Sequence, residues 1–131
     1  MLSFGSDLVA IHQLLSLHGH LVDGREFDRF DELFTNDVVY DVTDMGQGII
    51  QGLSSLRDVS AAFVEDERNP VGHHLTNVIV EGPIGDIVTA RSKGLGVLRD
   101  GCVGTVTYVD RVVRTADGWR IAERRVLAGA S

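Results

Sequence analysis

The feature that most constrains this chain is a change of period. Up to about Arg68 the apolar residues recur at helical spacing; from Asn69 onward they alternate as in strands. No repeat, linker or low-complexity stretch marks the switch. The expectation is therefore one α+β domain over residues 1–131, long enough to bury a sizeable core. In the first helix, Leu8, Val9, Ile11, Leu14, Leu15, Leu17 and Leu21 form a stripe behind Ser6, an N-cap residue, and Asp23-Gly24 ends it. REFDRFDELF is the second helix, with Phe27, Phe30, Leu33 and Phe34 on one side. TNDVVYDVT reads as a strand carrying Val38, Tyr40 and Val42 on one face, and MGQGIIQG as a loop with a short extended piece. The third helix is predicted from Leu53 to Glu67, with Leu56, Val59, Ala62 and Phe63 inward, and Asn69-Pro70 stops it.

Four strands follow: HHLTNVIVE, DIVTARSKGLGVL, CVGTVTYVDRVVR and GWRIAERRVLAG. The turns Arg99-Asp100-Gly101 and TADG join the last three into a meander, and Gly94 and Gly96 predict a bulge or sharp bend. The expected architecture is a cone-shaped α+β barrel: three N-terminal helices packed on a strongly curved, mostly antiparallel sheet, with a cavity between the layers. Trp119, Ile121 and Leu127 are expected on one side of the final strand. An outer face with that apolar content predicts a homodimer through it. Arg91, Lys93, Arg120, Arg124 and Arg125 are expected to decorate the exposed sheet face or to pair across strands with Asp and Glu.

A net charge of −7 argues against nucleic acid and against an anionic membrane surface, since both need clustered Lys and Arg. No apolar run reaches the roughly 20 residues of a membrane span. The one cysteine, Cys102, precludes an intrachain disulfide and reads as an inert buried thiol, so the cytoplasm is the expected compartment. The histidines are His12, His18, His20, His73 and His74. None has the helical i, i+4 partner and nearby acid of a zinc site, and MGQGIIQG lacks the lysine and flanking elements of a phosphate loop. The expectation is no metal and no cofactor.

Chemistry concentrates in VGHHLTNVIVEG, from Val71 to Gly82. Successive strand side chains point to opposite faces, so only one of His73 and His74 faces the cavity. Four segments, DGREFDRFDELF, GHHLTN, YVDRVVRT and DGWRIAERRV, taken in this order, resemble the nuclear transport factor 2-like superfamily, in particular its SnoaL-like and scytalone dehydratase-like members. VDGREFDRF is similar to the end of the first helix in the latter group and HLTN to the start of a central strand. The resemblance implies an acid–base pair, Asp23 and His74. His73 would then face the outer sheet or a dimer interface; a register shift of one exchanges the two. The pattern departs from that group where SKGLGVL carries no second histidine and where Val22 and Val42 replace tyrosines. Tyr40 and Tyr108 are candidate cavity residues that orient a substrate oxygen. An Asp23, Arg91, Asp110 set, as in epoxide hydrolases of this fold, has no supporting local motif. The resemblance thus implies a cofactor-independent dehydratase, isomerase or cyclase acting on a small hydrophobic, oxygenated molecule of polyketide or terpenoid type. The alternative is a noncatalytic ligand-binding or dimerisation module, including an oxygenase small-subunit-like role.

Overall fold

The computed structural model describes residues 4–129, without the side chains of residues 4, 83 and 84; residues 1–3 and 130–131 of the expected domain lie outside it. Helix α1 (Phe4–Asp23) is followed by a 3-10 helix (Phe27–Glu32), strand β1 (Phe34–Asp41), a 3-10 turn (Thr43–Met45), β2 (Ile49–Gln51) and α2 (Leu53–Ala62). The long strands β3 (Gly72–Ile84), β4 (Ile87–Val97), β5 (Val103–Thr115) and β6 (Gly118–Ala128) complete the chain. One six-stranded sheet runs β2-β1-β6-β5-β4-β3. It is antiparallel except where β1 lies parallel to β6, and it remains open between its edge strands β2 and β3. No described helix is long and apolar enough to cross a membrane.

Besides irregular pairing in β1 between Phe34 and Val39 and in β3 between Glu81 and Ile84, two bulges curve the sheet. One lies in β3 between Thr76 and Ile79, where Asn77 takes a left-handed conformation (φ 55°). The other lies in β6, where Val112 pairs with Ile121 but Arg111 pairs with Glu123, leaving Ala122 as the extra residue. The concave face buries Val88 and Ala90 of β4, Val112 of β5 and Trp119 and Ile121 of β6. Against these pack Ile11, Leu14, Leu15 and Leu21 of α1 and Phe30, Leu33 and Phe34 of the following segment. Each such side chain removed from water contributes about 1.5–3 kcal/mol before conformational entropy is counted.

Several expectations are corrected. Ser6 lies within α1 rather than capping it, and Val9 is 66% exposed because it sits off the buried stripe. The second helix is a short 3-10 piece. Helix α2 stops at Ala62, where Phe63 donates to Val59 and Ser60 and the chain turns; Asp66 then binds the Arg68 backbone and guanidinium. Val59 and Ala62 are exposed. Trp119 and Ile121 face the core and not the outer surface, and the β6 bulge turns Leu127 to the opposite side.

Two glycines set the spacing between layers. A Cβ on Gly19 would collide with the His73 carbonyl oxygen, so only glycine lets α1 approach β3 this closely. A Cβ on Gly94 would lie 2.5 Å from Cε2 of Tyr108, so the missing side chain makes room for that ring.

Candidate active site

Helix α1 ends at Asp23, directly beside the start of β3. The Asp23 carboxylate accepts a hydrogen bond from the His73 backbone N–H at 3.1 Å and another from His73 Nδ1 at 2.7 Å. An ionised carboxylate only accepts, so Nδ1 carries the proton and Nε2 is the free nitrogen. The two bonds to one residue fix both the backbone and the ring of His73. The expected partner, His74, is instead exposed on the other face of β3, opposite Leu95 of β4. This is the exchange that a one-residue register shift produces. The close approach at Gly19 decides it, because it sets the end of α1 against His73.

His73 belongs to the wall of a cavity of about 460 Å³ between the sheet and the helices. Asp23 stands behind it, outside the lining. Tyr40 and Tyr108, both expected as cavity residues, are in that wall, with Phe27, Phe30, Phe34 and Val126 supplying much of its apolar surface. Burial pushes both phenols above their ordinary pKa, so each stays protonated and able to donate. Nearer the rim, Arg68 lies over the Phe63 ring, 5.5 Å from its centroid.

Beneath the tyrosines lies a charge pair. Asp110 and Arg124 have fully buried side chains and meet in a bidentate contact, Nε–Oδ1 at 2.7 Å and Nη2–Oδ2 at 2.9 Å. The Arg124 guanidinium carbon sits 4.1 Å from the Tyr108 ring centroid. Burial opposes the Arg124 charge, but the adjoining carboxylate outweighs it and holds the guanidinium protonated. Arg124 thus pairs across strands with an acidic residue, as one expectation had it, but it does so in the core and not on the exposed sheet face. Arg91, the arginine of the epoxide-hydrolase-like set, pairs with Glu81 at 3.4 Å on the outer face, so that set is not assembled. Cys102 is exposed, in the turn before β5, and the Asp100 carboxylate raises its thiol pKa. Among the described residues no three His, Cys, Asp or Glu side chains converge to hold a metal ion.

His18 is the cavity residue that sequence reasoning missed. It is 7% exposed, lines the cavity and packs among Phe30, Phe34 and Tyr108, at centroid distances of 6.5, 6.1 and 6.3 Å. Burial, then the charges of Arg124 and His73, hold it well below the ordinary histidine range, so it is neutral. A signal existed: His18 shares the apolar stripe of Leu14, Leu15 and Leu21, at i−4, i−3 and i+3.

Helices on the concave side of a curved, open sheet, with a cavity between the layers, place the protein among the cystatin-like, NTF2-like folds. Residues 6–125 match the SnoaL-like domain, and the chain belongs to that family. An NTF2-like protein with a cystatin-like fold from Novosphingobium aromaticivorans is 23% identical and superposes with a TM-score of 0.77, over 98% of this chain and 86% of that one. A protein of the same organism provisionally named an aromatic ring hydroxylase is 27% identical, with a TM-score of 0.76 over 100% of this chain and 94% of that one. Another, provisionally named a scytalone dehydratase, is 17% identical, with a TM-score of 0.80 over 95% and 85%. No curated protein matches the chain.

Proposed function

We propose that this protein is a cofactor-independent acid–base enzyme of the dehydratase, isomerase or cyclase type. Its substrate is a small, hydrophobic, oxygenated molecule of polyketide or terpenoid kind. The observation that carries the reading is the 2.7 Å bond from His73 Nδ1 to a carboxylate behind an apolar cavity wall. Asp23 keeps the proton on Nδ1 and supports the imidazolium that forms when Nε2 takes a second proton. His73 Nε2 removes a proton from the carbon beside a substrate carbonyl. The C–H electron pair moves to the carbonyl oxygen, and Tyr40 or Tyr108 hydrogen-bonds the resulting enolate. In a dehydration, Nε2–H then returns its proton to the departing hydroxyl, which leaves as water while the alkene forms. His74 has no part in these steps.

The noncatalytic alternative, including an oxygenase small-subunit-like role, draws support from the mainly apolar cavity wall and from the name of the aromatic ring hydroxylase relative. Turnover of a panel of small hydroxyketones, lactones and epoxides separates the two readings. His73→Ala should lower turnover by about 10²–10⁴-fold, Asp23→Asn by less, and His74→Ala hardly at all. A binding module would take up panel members without converting them. The proposed assembly is a cytoplasmic homodimer joined through the outer sheet face, where Ile79, Leu95 and Val103 are exposed.

A further inference from the structure

The cavity holds a second imidazole that the proton-transfer steps do not use. His18 enters from α1, whereas His73 enters from β3. His18 is 7% exposed and lines the cavity, and its ring makes no hydrogen bond or ion pair to another described residue. Its nitrogens are not among the fully enclosed orphaned polar atoms, Thr35 Oγ1, Ser92 Oγ and Arg124 Nη1, so they stay open to the cavity, where a ligand or water can complete them. Around it Phe30, Phe34 and Tyr108 offer ring faces and edges, and none of the three supplies a carboxylate. The charged groups that act on the ring, Arg124 and His73, have their own carboxylate partners, Asp110 and Asp23.

We infer that His18 is the second polar anchor of the cavity: its imidazole hydrogen-bonds a hydroxyl or carbonyl oxygen of the ligand while the surrounding aromatic side chains hold the ligand's ring. The inference rests on the reading of this cavity as the ligand site. The guanidinium of Arg124 and a protonated His73 both oppose a charge on His18. The two imidazoles therefore divide the work, His73 carrying the proton and His18 only accepting or donating a hydrogen bond. A neutral ring cannot form an ion pair with a carboxylate, so this end of the cavity selects an uncharged oxygen substituent on a cyclic, flat ligand. His18 is a binding and specificity residue in this account, not a proton carrier.

The probes are 2-naphthol and its apolar counterpart 2-methylnaphthalene, titrated into the full chain and followed by fluorescence. Wild type should bind 2-naphthol about five- to tenfold more tightly, the value of one net hydrogen bond. His18→Phe, which keeps an aromatic ring in the cluster, should bring the two affinities to within about twofold, and His18→Gln should restore much of the preference. A preference that survives His18→Phe overturns the inference and leaves the cavity as the ligand site. Failure of both probes to bind wild type overturns the inference together with that reading of the cavity. Binding with the predicted preference, in a protein that turns nothing over, supports the inference and removes only the acid–base proposal. A spectrum of ¹⁵N-histidine-labelled wild type needs no variant: His18 should be neutral and should shift with 2-naphthol far more than with 2-methylnaphthalene. A His18 signal unmoved by bound 2-naphthol overturns the inference.

Discussion

Replacing Asp110 by Asn perturbs the most heavily buried charge in the protein. Asn keeps the shape of the side chain and one acceptor but loses the charge facing Arg124. The guanidinium then remains fully buried with no counter-ion, and its Nη1 already lacks a hydrogen-bond partner. Breaking one side of a buried pair costs about 3–5 kcal/mol, against a total stability of about 5–15 kcal/mol for a domain. Asn can still accept from Nε, so the low end of that range, about 3 kcal/mol, is expected. In a thermal melt this amounts to a fall of roughly 10 °C. Urea unfolding should show a lower midpoint with an unchanged slope. The double replacement Asp110→Leu with Arg124→Met should recover most of the loss, because a buried pair exchanged for apolar groups of similar volume is often neutral or better. A loss below about 1 kcal/mol for Asp110→Asn would refute the reasoning, since that is the range of a solvated surface pair.

Gly94→Ala should destabilise the protein by about 1–3 kcal/mol in urea unfolding, because its Cβ would press on the Tyr108 ring and on Val106. Asp7 is held below the ordinary carboxylate value of 3.8 by its hydrogen bond to Arg114, with Trp119 Nε1–H as a second donor. Its contribution is therefore complete above that value and is lost as pH falls through the lower, folded-state value. Asp7→Asn should accordingly lower stability near neutrality and flatten its dependence on pH between ~5 and ~2, measured by urea midpoints. Sedimentation at micromolar concentration should give the mass of a dimer, and a charge placed at exposed Leu95 should shift it toward monomer.

Much of the fold was legible because period is a local property. The strands β3 to β6 and the end of α1 at Asp23 follow from spacing and turn residues alone. What was not legible depended on events that spacing does not record. In β6 strict alternation from Trp119 and Ile121 would carry Glu123, Arg125 and Leu127 inward. The single extra residue at Ala122 shifts the phase, sends Glu123 and Leu127 outward and buries Arg124. A charged residue beside a charged residue gives no local sign of such a slip; only the burial of Asp110 on the neighbouring strand balances it. His73 and His74 posed the same problem. Alternation says that one of them faces the cavity, but the choice is made by how α1 docks, through the glycine that meets the His73 carbonyl. His18 lay within the predicted stripe, but its environment is formed by residues far along the chain, Tyr108 and Arg124 among them.

The central claim is that Asp23 holds His73 with its proton on Nδ1 and its Nε2 free for a substrate. Long-range ¹H–¹⁵N spectra of histidine-labelled protein read this directly, without a substrate. The account predicts that neutral His73 is the Nδ1–H tautomer, with an unprotonated Nε2, and that Asp23→Asn shifts both nitrogens while His74 stays unchanged. An Nε2–H tautomer for His73, indifferent to Asp23→Asn, would contradict it.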